Sequence, residues 1–278
     1  MPVMSVNAWS FEKKLGPMRM MEWDENWNEH RLVVEPNQQE MNVPQMLNML
    51  GNNGFYAVEI PYGNIHLTAE ENVSQLWEKS RFTGVQLTSL LLDYGDLSSR
   101  DEERRKRDIE WYKRWIDIAG NAGFISVRIP GGEAEPDDEE ALERSVEGML
   151  VLADFAEQRR VRVLTENLGN LLSTSDNCLK LLAACEGKVG ITVDFGNFKT
   201  DKYRQLAELL PYAYTVHAKA ELDSSGEIDW EDFRKCLGLC EEAGFRGAMS
   251  FTYLGEGDEW TSLLRLKEEA ESVFVNRV

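Results

Sequence analysis

Three times along this chain an apolar-periodic stretch runs into a glycine, then a phenylalanine, then a β-rich run. Gly51-Asn52-Asn53-Gly54-Phe55 leads into Ala57–Ile60, Gly120-Asn121-Ala122-Gly123-Phe124 into Ser126–Ile129, and Glu242-Ala243-Gly244-Phe245 into Gly247–Phe251. A glycine just past a helix takes the left-handed conformation that closes it, and the following run has β-forming residues. The phenylalanine is placed to plug the helix–strand corner. The first two junctions leave room between them for two strand–helix units of about thirty residues each. The chain is therefore read as repeated αβ steps.

Further strand candidates are Val3–Ala8, Gly84–Leu92, Val161–Thr165, Gly190–Val193 and Tyr214–Ala218, with the last junction's strand extended to Tyr253. With the three junction strands they number eight. Ile109, Tyr112, Ile116 and Ala119 form one helical stripe, and Leu142, Val146, Met149, Ala153 and Ala156 another. Alternating strands and helices call for a parallel sheet. Eight such units predict an α/β chain folded as one (β/α)8 TIM barrel over residues 1–278. No GxGxxG follows the first strand, so nothing favours an open doubly wound sheet.

The connection after the first strand, about residues 9–42, is abnormally long and carries Trp9, Met18, Met20, Met21, Trp23, Trp27 and His30. In a barrel it leaves the C-terminal, active-site face. Two readings stand, a lid or pocket wall and a hydrophobic packing flap.

Formal charge is −19, from 30 Lys+Arg against 49 Asp+Glu, which argues against nucleic-acid and anionic-membrane partners. Arg104-Arg105-Lys106-Arg107 follows three acids and reads as a solvated first helical turn. Cys178 and Cys185, and Cys236 and Cys240, have helical-face spacings without a CxxC pair, so buried small hydrophobes are expected. No stretch approaches the roughly twenty apolar residues of a membrane span. A soluble, reducing, cytoplasmic setting is expected.

Polar residues closing apolar runs should converge in a barrel. They are Glu59, Arg128, Glu166, Asp194, His217, Lys219 and Thr252. Isolated burial of such charges is costly, so they need one another, water or a metal. Glu166, Asp194 and His217 suit a divalent ion such as Mn²⁺, Co²⁺, Zn²⁺ or Mg²⁺. The alternative is a buried ion-pair network in which Lys219 and Arg128 neutralise the acids.

At these residues the sequence resembles the sugar phosphate isomerase/epimerase group of xylose-isomerase-like TIM barrels, within the AP-endonuclease-2 superfamily. "NVPQMLNMLGNNGFYAVEI" is similar to its first helix and second strand, "VRVLTENLGNLLSTSDNCLKLL" to its fifth strand, "KVGITVDFGNF" to its sixth and "YTVHAKAEL" to its seventh. "IDWEDFRKCLGLCEEAGFRGAMSFTY" resembles its last helix and strand. The resemblance implies metal ligands at Glu166, Asp194 and His217, with Glu166 also the base and Lys219 its acid or electrostatic partner. Glu59, His66, Arg128, Asn197 and Thr252 are expected to bind substrate. Three departures stand out: Thr252 replaces a ligand glutamate, Asn197 a histidine, and Ala220 an aspartate, with Glu221 one place on.

What the resemblance implies is a divalent-metal-dependent isomerase or epimerase, or a related lyase or dehydratase. It would act on a small sugar, polyol or hydroxy-keto compound through an enediolate. The departures support an alternative, a non-catalytic sugar-binding or partner protein on the same scaffold. Homo-oligomerisation stays open. A three-zinc DNA-repair site is excluded, since His30, His66 and His217 are the chain's only histidines.

Overall fold

A computed structural model describes residues 1–65 and 70–275. Strand β1 (Val3–Asn7) is followed by a hairpin, β2 (Met18–Asp24) and β3 (Glu29–Glu35), and by α1 (Val43–Asn52). Next come β4 (Ala57–Pro61), α2 (Glu70–Thr83), β5 (Gln86–Leu91), α3 (Glu102–Ala122), β6 (Ser126–Arg128) and α4 (Glu139–Glu157). The remainder is β7 (Arg162–Glu166), α5 (Ser175–Ala184), β8 (Val189–Asp194), α6 (Lys202–Leu209), β9 (Ala213–Lys219), α7 (Trp230–Glu242), β10 (Ala248–Thr252) and α8 (Glu259–Val275).

All eight strands expected from the sequence form, and they close into one parallel barrel in the order β1-β10-β9-β8-β7-β6-β5-β4, with β4 returning to β1. The three junctions work as their chemistry requires. Gly54, Gly123 and Gly244 have φ of 72°, 81° and 70°, and the Gly123 amide caps the last carbonyls of α3. Phe55, Phe124 and Phe245 are buried at the corners. Phe55 meets Phe251 and Trp260 edge-on, with centroids 6.3 and 5.8 Å apart. At the opposite ends, the side chains of Asn42, Asp101, Asp138, Thr174 and Asp229 accept from first-turn amides, each cap contributing about 1 kcal/mol.

Side chains alternate across each strand, so one face lines the barrel interior. Deep inside, Ser250 donates to Ser5 over 2.9 Å and the Thr192 and Thr215 hydroxyls bond over 2.8 Å. Moving two residues toward the C-terminal ends from Ser126, Leu164, Thr192, Thr215 and Ser250 gives Arg128, Glu166, Asp194, His217 and Thr252. The pleat therefore delivers these five to the same side of the barrel.

Two features differ from the sequence reading. The long connection contains a paired hairpin, Met18↔Glu35 through Asp24↔Glu29, whose alternation is masked by its mixed polar and apolar residues. It docks on the C-terminal face. A Cβ on Gly63 would lie 2.5 Å from Met18 Sδ, 2.8 Å from Met20 Sδ and 3.1 Å from the Arg19 carbonyl, so a larger residue would have to displace both methionine side chains and press on the hairpin backbone. The Met21 amide donates to Tyr62 Oη over 2.7 Å, and His30 Nε2 meets Asp108 Oδ1 at 2.9 Å. The second difference is Arg104, which is not a solvated charge. Its guanidinium stacks 5.2 Å from the Trp23 ring centroid and lies 3.7 Å from buried Asp108, because the hairpin supplies a partner distant in sequence.

The four cysteines are free and buried, as expected. Burial pushes the thiols of Cys178 and Cys185 up to about 12 and about 11. Among the described residues no helix is long and apolar enough to cross a membrane.

Candidate active site

β7, β8 and β9 are adjacent in the barrel, and in-register pairing sets Asp194 beside His217 and Glu166 beside Thr192. One donor atom each from Glu166, Asp194 and His217 lies within 4.8 Å of the others, all three residues being buried. His217 Nδ1 is 3.6 Å from both Glu166 Oε1 and Asp194 Oδ2. That is too long for a hydrogen bond. It is near the spacing of about 3.0–3.4 Å expected for two donors each about 2.1 Å from a shared ion.

The surrounding groups hold these three in place. Glu166 Oε1 accepts from Asn197 Nδ2 over 2.9 Å. Asp194 Oδ1 accepts from the Gly196 amide over 2.7 Å, and the Asp194 backbone is clasped on both sides by the Asn167 amide, over 2.8 and 3.0 Å. His217 Nε2 lies 2.6 Å from Glu59 Oε2, which comes from β4.

Arg128 is buried between two acids. Its Nη2 donates to Asp93, and its Nε stands 3.0 Å from Glu166 Oε2. The Nε–H does not point at that oxygen, so Arg128 Nε, Arg128 Nη1 and Glu166 Oε2 are buried without hydrogen bonds among the described residues, as is Glu59 Oε1. Buried unsatisfied polar atoms cost about 1–3 kcal/mol each. Their clustering here fits a pocket that completes its bonding with a ligand. The donor set, two carboxylates and one imidazole facing inward, likewise fits a hard or borderline divalent cation.

The electrostatics follow from burial and crowding. Burial alone would lower the His217 pKa, yet the charges of Glu166 and Glu59 and contact with Asp194 drive it well above the usual imidazole value. Burial would raise the Asp194 carboxyl, but His217, Lys219 and the Gly196 amide outweigh it and hold the group below its ordinary range. Each partner thus favours the charged form of the other.

The other sequence-predicted residues separate. Lys219 ends β9, half-buried and paired in register with Thr252, and its charge acts on Asp194. Thr252 is buried at the end of β10, its hydroxyl 3.5 Å from the Ser250 carbonyl. Asn197 reaches Glu166, and Glu59 reaches His217 rather than open solvent. His66 lies outside the described residues. Sequence reasoning passed over Asp93, which also accepts from Trp9 Nε1 over 3.0 Å, and Asn167. Asp93 carried the same signal as Asp194, an acid closing an apolar strand. A separate groove of about 1030 Å³ lies among α4, α5 and α6, lined by Asp138, Thr174, Ser175, Arg204 and Glu208. Its Ser175 hydroxyl is already engaged by Glu208, and it gathers none of the chemistry above.

A sequence model of the xylose isomerase-like TIM barrel family matches residues 49–273. No curated protein matches the sequence. Among solved structures, the chain is similar to 3-keto-D-glucoside 4-epimerase from E. coli, at 13% identity and TM-score 0.69, covering 98% of this chain and 100% of that one. It is similar to a probable 3-DHS dehydratase from Bacillus anthracis, at 16% identity and TM-score 0.68 over the whole of both chains. It is also similar to a Mycobacterium smegmatis xylose isomerase-like TIM barrel protein in complex with magnesium, at 16% identity and TM-score 0.62, covering 82% of this chain and 87% of that one.

Proposed function

Since the chain belongs to the xylose isomerase-like TIM barrel family, we propose that it is a divalent-metal-dependent isomerase, epimerase or dehydratase acting on a small sugar, polyol or hydroxy-keto compound. The observation that carries this reading is the convergence of Glu166, Asp194 and His217, with Nδ1 facing both carboxylates at 3.6 Å. An epimerase, a dehydratase and a magnesium complex among the similar structures support it. Glu166, Asp194 and His217 would hold the ion, which supplies Lewis-acid polarisation of a substrate carbonyl.

The rest of the chemistry falls to side chains. Glu166 is the base: its carboxylate takes the proton α to the carbonyl, while the Asn197 amide, a neutral donor, fixes Oε1 without competing for that proton. Negative charge then moves onto the carbonyl oxygen. Arg128, with Nη1 buried and unengaged among the described residues, and Lys219 counter that charge; Lys219 hands a proton to that oxygen and recovers one from the neighbouring substrate hydroxyl while Glu166 returns its proton to the adjacent carbon, leaving both side chains as they began. Thr252 offers a hydroxyl to the substrate in place of a second carboxylate. That substitution supports one-base isomerisation or elimination over two-base epimerisation. His66 completes the substrate-side assignments. The hairpin and Trp9 wall the pocket, and four buried free thiols support a reducing, cytoplasmic setting.

The test is solvent-deuterium exchange followed by NMR, on ketoses and 3-keto-glycosides with added Mn²⁺, Co²⁺ or Mg²⁺. Exchange abolished by Glu166→Gln is expected. Saturable sugar binding without exchange, for any substrate and ion, would instead establish the second reading, a sugar-binding protein. That reading is favoured by the neutral hydroxyl of Thr252 at the end of β10.

A further inference from the structure

Buried in the barrel, Glu59 has one described hydrogen-bonding partner, the far nitrogen of His217. Oε2 lies 2.6 Å from Nε2, both side chains are at most 3% exposed, and Oε1 has no hydrogen bond. Holding a carboxylate away from water is costly, so its one described hydrogen bond identifies what it does. We infer that Glu59 is a positioning residue: it pins His217 as the tautomer protonated on Nε2 and thereby makes Nδ1 the metal-ligating atom. This rests on the metal-dependent reading above and reassigns Glu59 from touching substrate to acting through His217.

The chemistry is that of an imidazole with two unequal nitrogens. A neutral ring carries one N–H, and the partner of one nitrogen decides which. An ionised carboxylate only accepts, so the nitrogen facing Glu59 must be the donor. Once an ion displaces the second proton, the lone pair is on Nδ1, the atom that stands 3.6 Å from Glu166 Oε1 and from Asp194 Oδ2. The same contact locks the ring's rotation, because the glutamate reaches from β4 on one side and the two acids sit on adjacent β7 and β8. Transfer of negative charge through the Nε2–H bond also makes Nδ1 a better donor, the usual effect of a carboxylate behind a ligating histidine.

The experiment uses the full chain labelled with ¹⁵N-histidine and loaded with Zn²⁺, which is diamagnetic. Only three histidines need assignment. Long-range ¹H–¹⁵N spectra are expected to show His217 with Nδ1 metal-bound and Nε2 protonated. Chelator competition is expected to give Zn²⁺ and Mn²⁺ affinities about 10–100-fold weaker for Glu59→Leu. Glu59→Gln, whose amide oxygen still accepts from Nε2–H, is expected to recover most of the loss and keeps the test valid if the leucine variant does not fold. Coordination through Nε2, or a glutamine variant as weak as an unfolded or leucine variant, overturns the assignment of Glu59 alone. A wild-type chain that takes up neither ion overturns the metal-dependent reading, and this inference with it.

Discussion

Replacing Arg128 by methionine removes the cation that, on the proposed metal-dependent reading, would compete with the ion for Glu166. At 3.0 Å and an effective dielectric of 20, the Arg128–Glu166 attraction has a gross magnitude of about 5 kcal/mol, most of it offset by desolvation of the two groups. Deleting one partner leaves buried Glu166 and part-buried Asp93 without their shared cation, and the expected loss of stability is about 3–5 kcal/mol. The metal-bound protein should lose less, because a divalent cation takes over the neutralisation of Glu166. The expected difference is at least about 1.4 kcal/mol, equivalent to roughly tenfold tighter binding of the ion. Urea unfolding of wild type and Arg128→Met, in EDTA and in saturating Mn²⁺, measures all four stabilities. Calorimetric titration of Mn²⁺ measures the affinities independently. Equal losses in both conditions, or weaker Mn²⁺ binding by the variant, would show that Arg128 orients Glu166 for the ion instead of competing with it.

Four further outcomes are expected. Because the neighbouring carboxylates keep His217 protonated above its ordinary pKa, ion binding should release about one proton near pH 7 and weaken as pH falls, read by titration in buffers of different ionisation enthalpy. The same shift stabilises the metal-free fold fully below about pH 6.5, and that contribution is lost as pH rises through the higher folded pKa; a metal-free stability that grows with pH across this window would contradict the sign. Gly63→Ala should lift the hairpin off its seat, since its Cβ meets two methionine sulfurs and the Arg19 carbonyl at 3.1 Å; a cost of about 1–3 kcal/mol and faster proteolysis near Asn28 are expected, and an unchanged cleavage rate would refute the docking argument. Phe55→Ala should cost about 3–5 kcal/mol by emptying a fully buried corner, measured by urea unfolding, with a loss below about 1 kcal/mol counting against the corner-plug reading.

The barrel was legible because its signals are local. A glycine followed by phenylalanine closes a helix and seats a corner whatever lies elsewhere, and an apolar run ending in an acid reads as a strand ending at the rim. Glu166, Asp194 and His217 could therefore be named before any contact was known. Asp93 announced itself in the same way and was passed over. The hairpin was harder: its strands alternate Met, Arg, Glu and Trp, so no apolar face stands out until Gly63 and Tyr62 are brought beneath it. Arg104 reads as solvated for the same reason, its stacking partner Trp23 lying outside its own helix.

Periodicity, junction glycines and strand-end acids thus determined the architecture and the donor types at the barrel mouth, since these depend on chain-local stereochemistry and the alternation of side chains. Which donors face one another was decided only by closure of the cylinder. Glu59 and His217 are 158 residues apart, and Arg128 finds Asp93 on one neighbouring strand's exit and Glu166 on the other. Ring closure sets which strands are adjacent and how far each is staggered, and a one-residue change of stagger would turn any of these side chains out of the interior.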